Sequence, residues 1–165
     1  MTASRRYWLL KSEPDVFSFE DLLASRGKRT GWDGVRNYQA RNFMRDDMQV
    51  GDGVLYYHSR SKTPSIVGLA RVTRGGHPDP TQFEEGAKGF DGSSDPKDPR
   101  WFQVTIQGVE VLPQPLSLGD LKEEKSLADM ALVQRGQRLS VQPVGAKEWR
   151  RVLQLGGIKG DPTGS

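Results

Sequence analysis

The 165-residue chain contains no cysteine. Disulfides, thiol nucleophiles and zinc–thiolate sites are therefore excluded, and the composition fits a reducing compartment. Histidine is nearly absent too: His58 and His77 are the two. The chain has no HExxH pair, no GxSxG nucleophile elbow and no Walker phosphate loop. The mean hydropathy is −0.66, and no apolar run approaches the ~18 residues of a membrane-spanning helix. The apolar patch in MTASRRYWLL is too short for a signal-peptide core. Charge of one sign is also scarce, with a net +3 and an isoelectric point near 9.3. These absences predict a soluble, intracellular protein with no metal, no cofactor and no membrane partner. The mild basic bias permits a nucleic-acid partner held through few phosphate contacts.

What is present reads as one domain with a core, over residues 6–155, followed by a flexible tail, GGIKGDPTGS, at 156–165. Tyr7–Leu10 reads as a buried first strand closed by Pro14. Ser18 and Asp21 form a capping-box pattern, so a short helix follows and stops at Gly27. NYQARNFMRDDM, from Asn37, carries Ala40, Phe43 and Met44 on one helical face. Gly53–Ser59 and Ser65–Arg74 alternate as strands and suggest an antiparallel hairpin, with Gly68 marking a close approach or a bulge. Gly75–Arg100 is rich in Gly, Pro, Asp and Ser and reads as a functional or mobile loop. WFQVTIQGVEVL alternates cleanly and is expected to end at Pro113 and Pro115. A short helix over Pro115–Glu124, a strand in RLSVQPV and a final helix bearing Ala146, Trp149, Val152 and Leu153 complete the chain. The sum is α+β: a curved, mostly antiparallel sheet or small open barrel of five to six strands flanked by short helices.

The chemistry concentrates in WDGVRNYQARN, residues 32–42. A tryptophan between Gly31 and Gly34 can serve as a core plug. Its company points elsewhere: Asp33, Asn37 and the neighbouring Lys11-Ser12-Glu13 offer donors and acceptors, and Arg36, Arg41 and Arg45 offer charge for phosphate. That combination suits a nucleobase, which needs an aromatic face worth ~1–3 kcal/mol per stacked base and paired groups along its Watson–Crick edge. Tyr57, His58 and Ser59 are the candidates for a further wall. For His58, facing the same side as Val54 and Tyr56, a structural or binding role outweighs catalysis. Gly51-Asp52-Gly53 follows a helix and not a strand, so it reads as a helix stop and turn and not as a phosphate loop. No nucleophile with a visible base supports an enzyme.

Several motifs in fixed order then carry a resemblance: Trp8-Leu9-Leu10-Lys11-Ser12-Glu13-Pro14, Phe17-Ser18-Phe19-Glu20-Asp21-Leu22, Trp32 to Asn42, Tyr57-His58-Ser59, Asp79-Pro80-Thr81-Gln82-Phe83, Asp98-Pro99-Arg100-Trp101-Phe102 and Arg138-Leu139-Ser140-Val141-Gln142-Pro143. Over residues 6 to 155 the chain resembles the EVE domain family, in particular its thymocyte nuclear protein-like group and bacterial relatives. The resemblance implies a PUA-like fold and kinship with YTH domains, which read N6-methyladenine through an aromatic cage. Trp32 matches a cage tryptophan. A second cage aromatic would come from a loop resembling Gly75–Arg100, where Phe83, Phe90 and Trp101 are the candidates. EVE proteins are associated instead with 5-methyl- and 5-hydroxymethylcytosine in DNA. The resulting expectation is a non-catalytic, monomeric module that flips a modified base into a pocket of Trp32, Lys11, Ser12, Asp33, Asn37, Tyr57, His58 and Ser59. Arg36, Arg41 and Arg45 would hold phosphates, the partner being DNA with modified cytosine, or RNA. The compartment would be the cytoplasm in a bacterium and the nucleus in a eukaryote. Binding of structured RNA and an enzyme acting on modified nucleotides are the alternatives.

Overall fold

The computed structural model describes residues 4–164. Its strands are β1 (Tyr7–Ser12), β2 (Arg29–Gly31), β3 (Gly53–His58), β4 (Ser65–Pro78), β5 (Phe102–Ser117) and β6 (Val141–Val144). They pair into one six-stranded sheet in the order β2-β5-β4-β3-β1-β6. β1 and β3 run parallel, and every other pair is antiparallel. The end strands β2 and β6 do not pair, so the sheet is open and not a closed barrel. The architecture is the expected PUA-like α+β fold.

Alternation along the central strands splits the apolar residues between two faces. Trp8, Leu10, Val54 and Tyr56 enter one core with Phe19, Leu22, Trp32, Met44 and Ile106. Leu9, Leu55 and Tyr57 enter the other with Leu121, Trp149, Val152 and Leu153. The first face is covered by α1 (Phe19–Ala24) and α2 (Tyr38–Asn42), the second by α3 (Leu118–Glu123) and α4 (Ala146–Leu155). The capping box at Ser18 forms as its sequence implies: Ser18 Oγ accepts from the Asp21 N–H at 3.0 Å, and Asp21 Oδ2 accepts from the Ser18 N–H at 2.8 Å. A single π turn, Phe43–Asp47, continues α2.

Three departures from the sequence pattern have physical causes. β5 does not end at its prolines but runs to Ser117. Pro113 and Pro115 fall where the β4–β5 register jumps from Gly68↔Val111 to Ile66↔Leu116, and an irregularity asks no ladder N–H of them. β4 extends past Gly75 to Pro78. At Gly76 a Cβ would sit 2.5 Å from the Met44 carbonyl oxygen, so the strand passes under the π turn only because it carries glycine. The predicted loop is accordingly shorter.

The C-terminal segment is the clearest correction. In place of a flexible tail, Ile158 and Thr163 are buried. Asp161 Oδ2 accepts from Arg5 Nη1 at 3.0 Å and from Trp149 Nε1 at 2.9 Å, and Arg5 Nη2 donates to Thr163 Oγ1 at 2.8 Å. A composition rich in glycine hides a segment pinned by one half-buried aspartate. Ser165 lies outside the described residues.

Candidate nucleic-acid interface

A cavity of about 620 Å³ opens beside Trp32, lined by residues of the β1–α1 turn, β2 and the segment that follows it. Lys11, Ser12, Trp32 and Asp33, candidates for base contact, line it together with Arg36, expected to hold phosphate, and Glu13, Val16, Gly31, Lys88 and Ser140 join them. β1 ends at the cavity, so its last two residues, Lys11 and Ser12, reach the wall. Gly31 lets the opposite wall approach β5, since a Cβ there would lie 2.5 Å from Gln103 Nε2.

The tryptophans distinguish this cavity from the rest of the molecule. Trp8 Nε1 donates to Asp52 Oδ2 at 2.9 Å, Trp101 Nε1 to Asp91 Oδ2 at 2.7 Å and Trp149 Nε1 to Asp161 Oδ2 at 2.9 Å. Trp32 is 8% exposed and packs edge-on against Tyr56, with ring centroids 5.4 Å apart. Its indole N–H has no acceptor among the described residues. The fully enclosed side-chain atoms without a partner are Ser61 Oγ and Gln142 Oε1, so this N–H faces accessible space. Trp32 is thus both core plug and cavity wall.

A buried carboxylate organises the rim. Asp79, 0% exposed, accepts from the Gly34 N–H at 2.8 Å, Arg36 Nη1 at 3.0 Å, and the Thr81 N–H and Oγ1 at 2.8 and 2.6 Å. Burial alone would raise its pKa, but the hydrogen bonds from Thr81, Gly34 and Arg36 outweigh this and hold it below the ordinary carboxylate value. Arg36 also donates to the Val35 carbonyl at 2.9 Å, to Thr81 Oγ1 at 3.2 Å and through Nε to the Gly89 carbonyl at 3.1 Å. Its guanidinium lies 5.2 Å over the Trp101 ring. Every guanidinium nitrogen of Arg36 therefore has a protein acceptor. The residue clamps the segment after β4 to the Trp32 turn and has little left for phosphate.

The groups left over are polar and few. Asp33 reaches solvent, yet desolvation first, then the Asp79 and Glu84 carboxylates, push its pKa up against the pull of Arg36. Lys11 is shifted down by desolvation and forms no ion pair among the described residues. Its ammonium sits 5.9 Å from the Tyr57 ring centroid. Ser12 Oγ donates to the Phe17 carbonyl at 2.7 Å, with no base beside it.

Other expected members lie elsewhere. Tyr57 is buried on the opposite face of the sheet. Consecutive strand residues point to opposite faces, so Tyr57 and His58 cannot share a wall. His58 accepts the Phe19 N–H on Nε2 at 3.1 Å, and burial lowers its pKa, which keeps it a neutral helix-start acceptor. Ser59 donates its N–H to the Ser12 carbonyl at 2.9 Å and does not line the cavity. Asn37 caps α2, its Oδ1 accepting from the Ala40 N–H at 3.0 Å. Arg41 donates to the Arg100 carbonyl at 3.0 Å and to Asn42 Oδ1 at 2.8 Å, and Arg45 forms a two-pronged pair with Asp46. Both arginines line a separate cleft with Tyr38 and Arg100.

None of Phe83, Phe90 and Trp101 lines the cavity; the segment after β4 contributes Lys88 instead. Trp101 is buried, stacked on Tyr38 at 4.9 Å. The residues that sequence reasoning missed are Asp79, Lys88 and Ser140. Asp79 carried a legible signal, an aspartate before Pro80 and Thr81 at a helix start, and it does cap the turn there. Among the described residues no helix is long and apolar enough to cross a membrane.

Comparison with known proteins matches this geometry to relatives. Residues 6–155 match the family model of the EVE domain. The chain is 42% identical over 166 residues to thymocyte nuclear protein 1 of Mus musculus, covering 90% of this chain and 73% of that protein. Against the Homo sapiens protein of that name the identity is 40%, with the same coverage. A solved structure of human THYN1 protein in complex with 5-methylcytosine-containing DNA superposes with a TM-score of 0.87 at 40% identity, covering 94% of this chain and 99% of that one. A Pseudomonas syringae protein superposes with a TM-score of 0.85 at 42% identity, covering 91% and 99%. A YTH domain of Zygosaccharomyces rouxii shares the fold, with a TM-score of 0.52 at 12% identity over 94% and 89% of the two chains. With its sheet, its Trp32 cavity and a family match spanning nearly its whole length, the chain belongs to the EVE domain family.

Proposed function

We propose that this protein is a non-catalytic nucleic-acid-binding module that receives a flipped, modified cytosine of DNA in the Trp32 cavity. The observation that carries the reading is the unpartnered Trp32 indole N–H at the cavity wall, in a molecule whose other indole donors all meet carboxylates. A donor that reaches a cavity without a protein partner is one a ligand can complete, and leaving it unmatched once a ligand excludes water costs about 1–3 kcal/mol. Similarity to human THYN1 protein, solved with 5-methylcytosine-containing DNA, supports the class of ligand.

The chemistry of the base fits the leftover groups. Cytosine offers one amino donor and two acceptors along its pairing edge. The Asp33 carboxylate supplies an acceptor and Trp32 Nε1 a donor. Lys11 and Lys88 at the rim hold flanking phosphates in this reading, replacing Arg36, whose donors are already engaged. Ser12 lacks a base to activate it, which favours binding over catalysis.

A single methyl in an apolar pocket is worth only ~1–3 kcal/mol, so preference for methylated over plain cytosine is expected to reach tens-fold at most. The test compares Kd for matched oligonucleotides bearing cytosine, 5-methylcytosine or 5-hydroxymethylcytosine, single-stranded and duplex, with an RNA counterpart. Wild type should prefer a modified DNA probe, and Trp32→Ala should lose that preference. Equal affinity for every probe in both proteins overturns the reading, and preference for the RNA reassigns the partner.

A further inference from the structure

Phe90 is 43% exposed, large, aromatic and outside the cavity, and nothing in the fold requires it to be there. Its turn is fixed nonetheless. The Phe90 N–H donates to the Ala87 carbonyl at 3.1 Å, and the carbonyl of the preceding Gly89 is held by Arg36 Nε at 3.1 Å. Arg36 lines the Trp32 cavity, and so does Lys88, two residues before Phe90. The ring rests against Gly92, where an added Cβ would meet Cε1 and Cζ at 3.5 Å. The adjacent acid does not repel a phosphate, because Asp91 is turned inward onto Trp101 Nε1, Ser93 and Arg100. An aromatic mounted on a fixed turn, two residues after a lysine that lines the Trp32 cavity, is a stacking platform for a base that stays outside it.

We infer that Phe90 stacks on a nucleotide flanking the one held at Trp32. This rests on the reading of the Trp32 cavity as a base site. It also gives the segment after β4 a role other than closing the cavity: it grips the strand on either side of the flipped base, with Phe90 on a base face and Lys88 on the backbone. Stacking tolerates any base, so Phe90 adds affinity without adding sequence preference.

The experiment uses the full chain and three probes: a single-stranded oligonucleotide with one 5-methylcytosine, the same strand with abasic sites on both sides of that base, and free 5-methyl-2′-deoxycytidine. Titration calorimetry with Phe90→Ala should show roughly a ten-fold loss on the intact strand, from the ordinary worth of one stacked base. Phe90→Trp should retain affinity and Phe90→Leu should fall between them. On the abasic strand, wild type and Phe90→Ala should bind alike, and the nucleoside should not distinguish them. An undiminished loss on the abasic strand, or a loss on the nucleoside, overturns the proposal, the latter by making Phe90 part of the cavity. Unchanged binding of Phe90→Ala to the intact strand overturns it as well. Failure of wild type to bind any modified probe would instead break the cavity reading itself, which separates the two failures.

Discussion

Two concavities, at Trp32 and at Trp149, lie on opposite faces of the sheet, and their difference lies in bonding more than in size. The Trp32 cavity measures about 620 Å³, and the groove at Trp149 about 530 Å³. At Trp149 the ring stacks on Tyr7 at 4.7 Å, Arg5 lies 5.2 Å over Tyr7, and the indole N–H is bound by Asp161. The indole donor there is already satisfied, and its bond holds the C-terminal segment. At Trp32 the indole donor has no protein partner and faces open space. Two similar hollows therefore carry opposite meanings: one is a completed joint, the other an incomplete site. Unsatisfied polarity, more than volume, separates them.

The largest effect that would break this comparison is expected at Asp79, which braces the Trp32 side as Asp161 braces the other. Asp79→Ala strips Arg36, Gly34 and Thr81 of their shared acceptor. It should cost about 3 kcal/mol in a urea unfolding titration, the low end for a broken buried pair because the Arg36 side chain is 24% exposed. An unchanged midpoint would show that the rim does not depend on it.

A matched pair of substitutions sharpens the contrast at intermediate size. Trp149→Phe leaves Asp161 short of a donor and should cost about 1.5–3 kcal/mol of stability with no change in oligonucleotide affinity. Trp32→Phe keeps an aromatic face and loses a donor that bonds nothing in the protein. It should leave stability within about 1 kcal/mol and weaken binding of the modified strand by roughly 3- to 10-fold. If both variants lose stability and neither loses binding, the Trp32 N–H is not a ligand contact.

The smallest effect is a separation in pH. Asp79 and Asp161 are held below the ordinary value of 3.8. Each adds stability that is present above 3.8 and lost as pH falls through its lower folded-state value. Asp33 is shifted the other way, so its own linkage favours the fold below 3.8 and fades as pH rises through its raised value. Its acceptor role in binding disappears as pH drops through that same raised value. Affinity should therefore weaken at a higher pH than stability does, measured by Kd and unfolding midpoint in parallel acid titrations. Coincident loss of both would remove Asp33 from the ligand's edge.

Much of the fold was legible because local pattern and burial agree in the central strands. Phe102 to Leu112 alternates, Tyr7 to Leu10 is continuously apolar, and Ser18 with Asp21 announces its cap. The failures arise where tertiary context overrides a local rule. Pro113 and Pro115 signal an end only to a regular ladder, and Gly156 to Gly164 signals fraying only without the bonds of Asp161 to Arg5 and Trp149. β2 spans just Arg29–Gly31, too short to show a period. In the site, Lys11, Ser12, Trp32 and Asp33 were readable from residue type and company. Tyr57 was misplaced by ignoring strand parity, and Asn37 and His58 by overlooking that helix starts also consume polar side chains. Lys88 was invisible, since nothing local says that a lysine in an irregular segment will be carried back to a wall more than fifty residues earlier in the chain.

Arg5 bonds both Asp161 and Thr163, so the two extremities of the described chain meet, and they do so on the face of the sheet opposite Trp32. A unit whose entrance and exit adjoin behaves like a cassette. It can be spliced into a loop of a host protein, or carry a fluorescent or nuclease partner at either extremity, with the Trp32 opening directed outward.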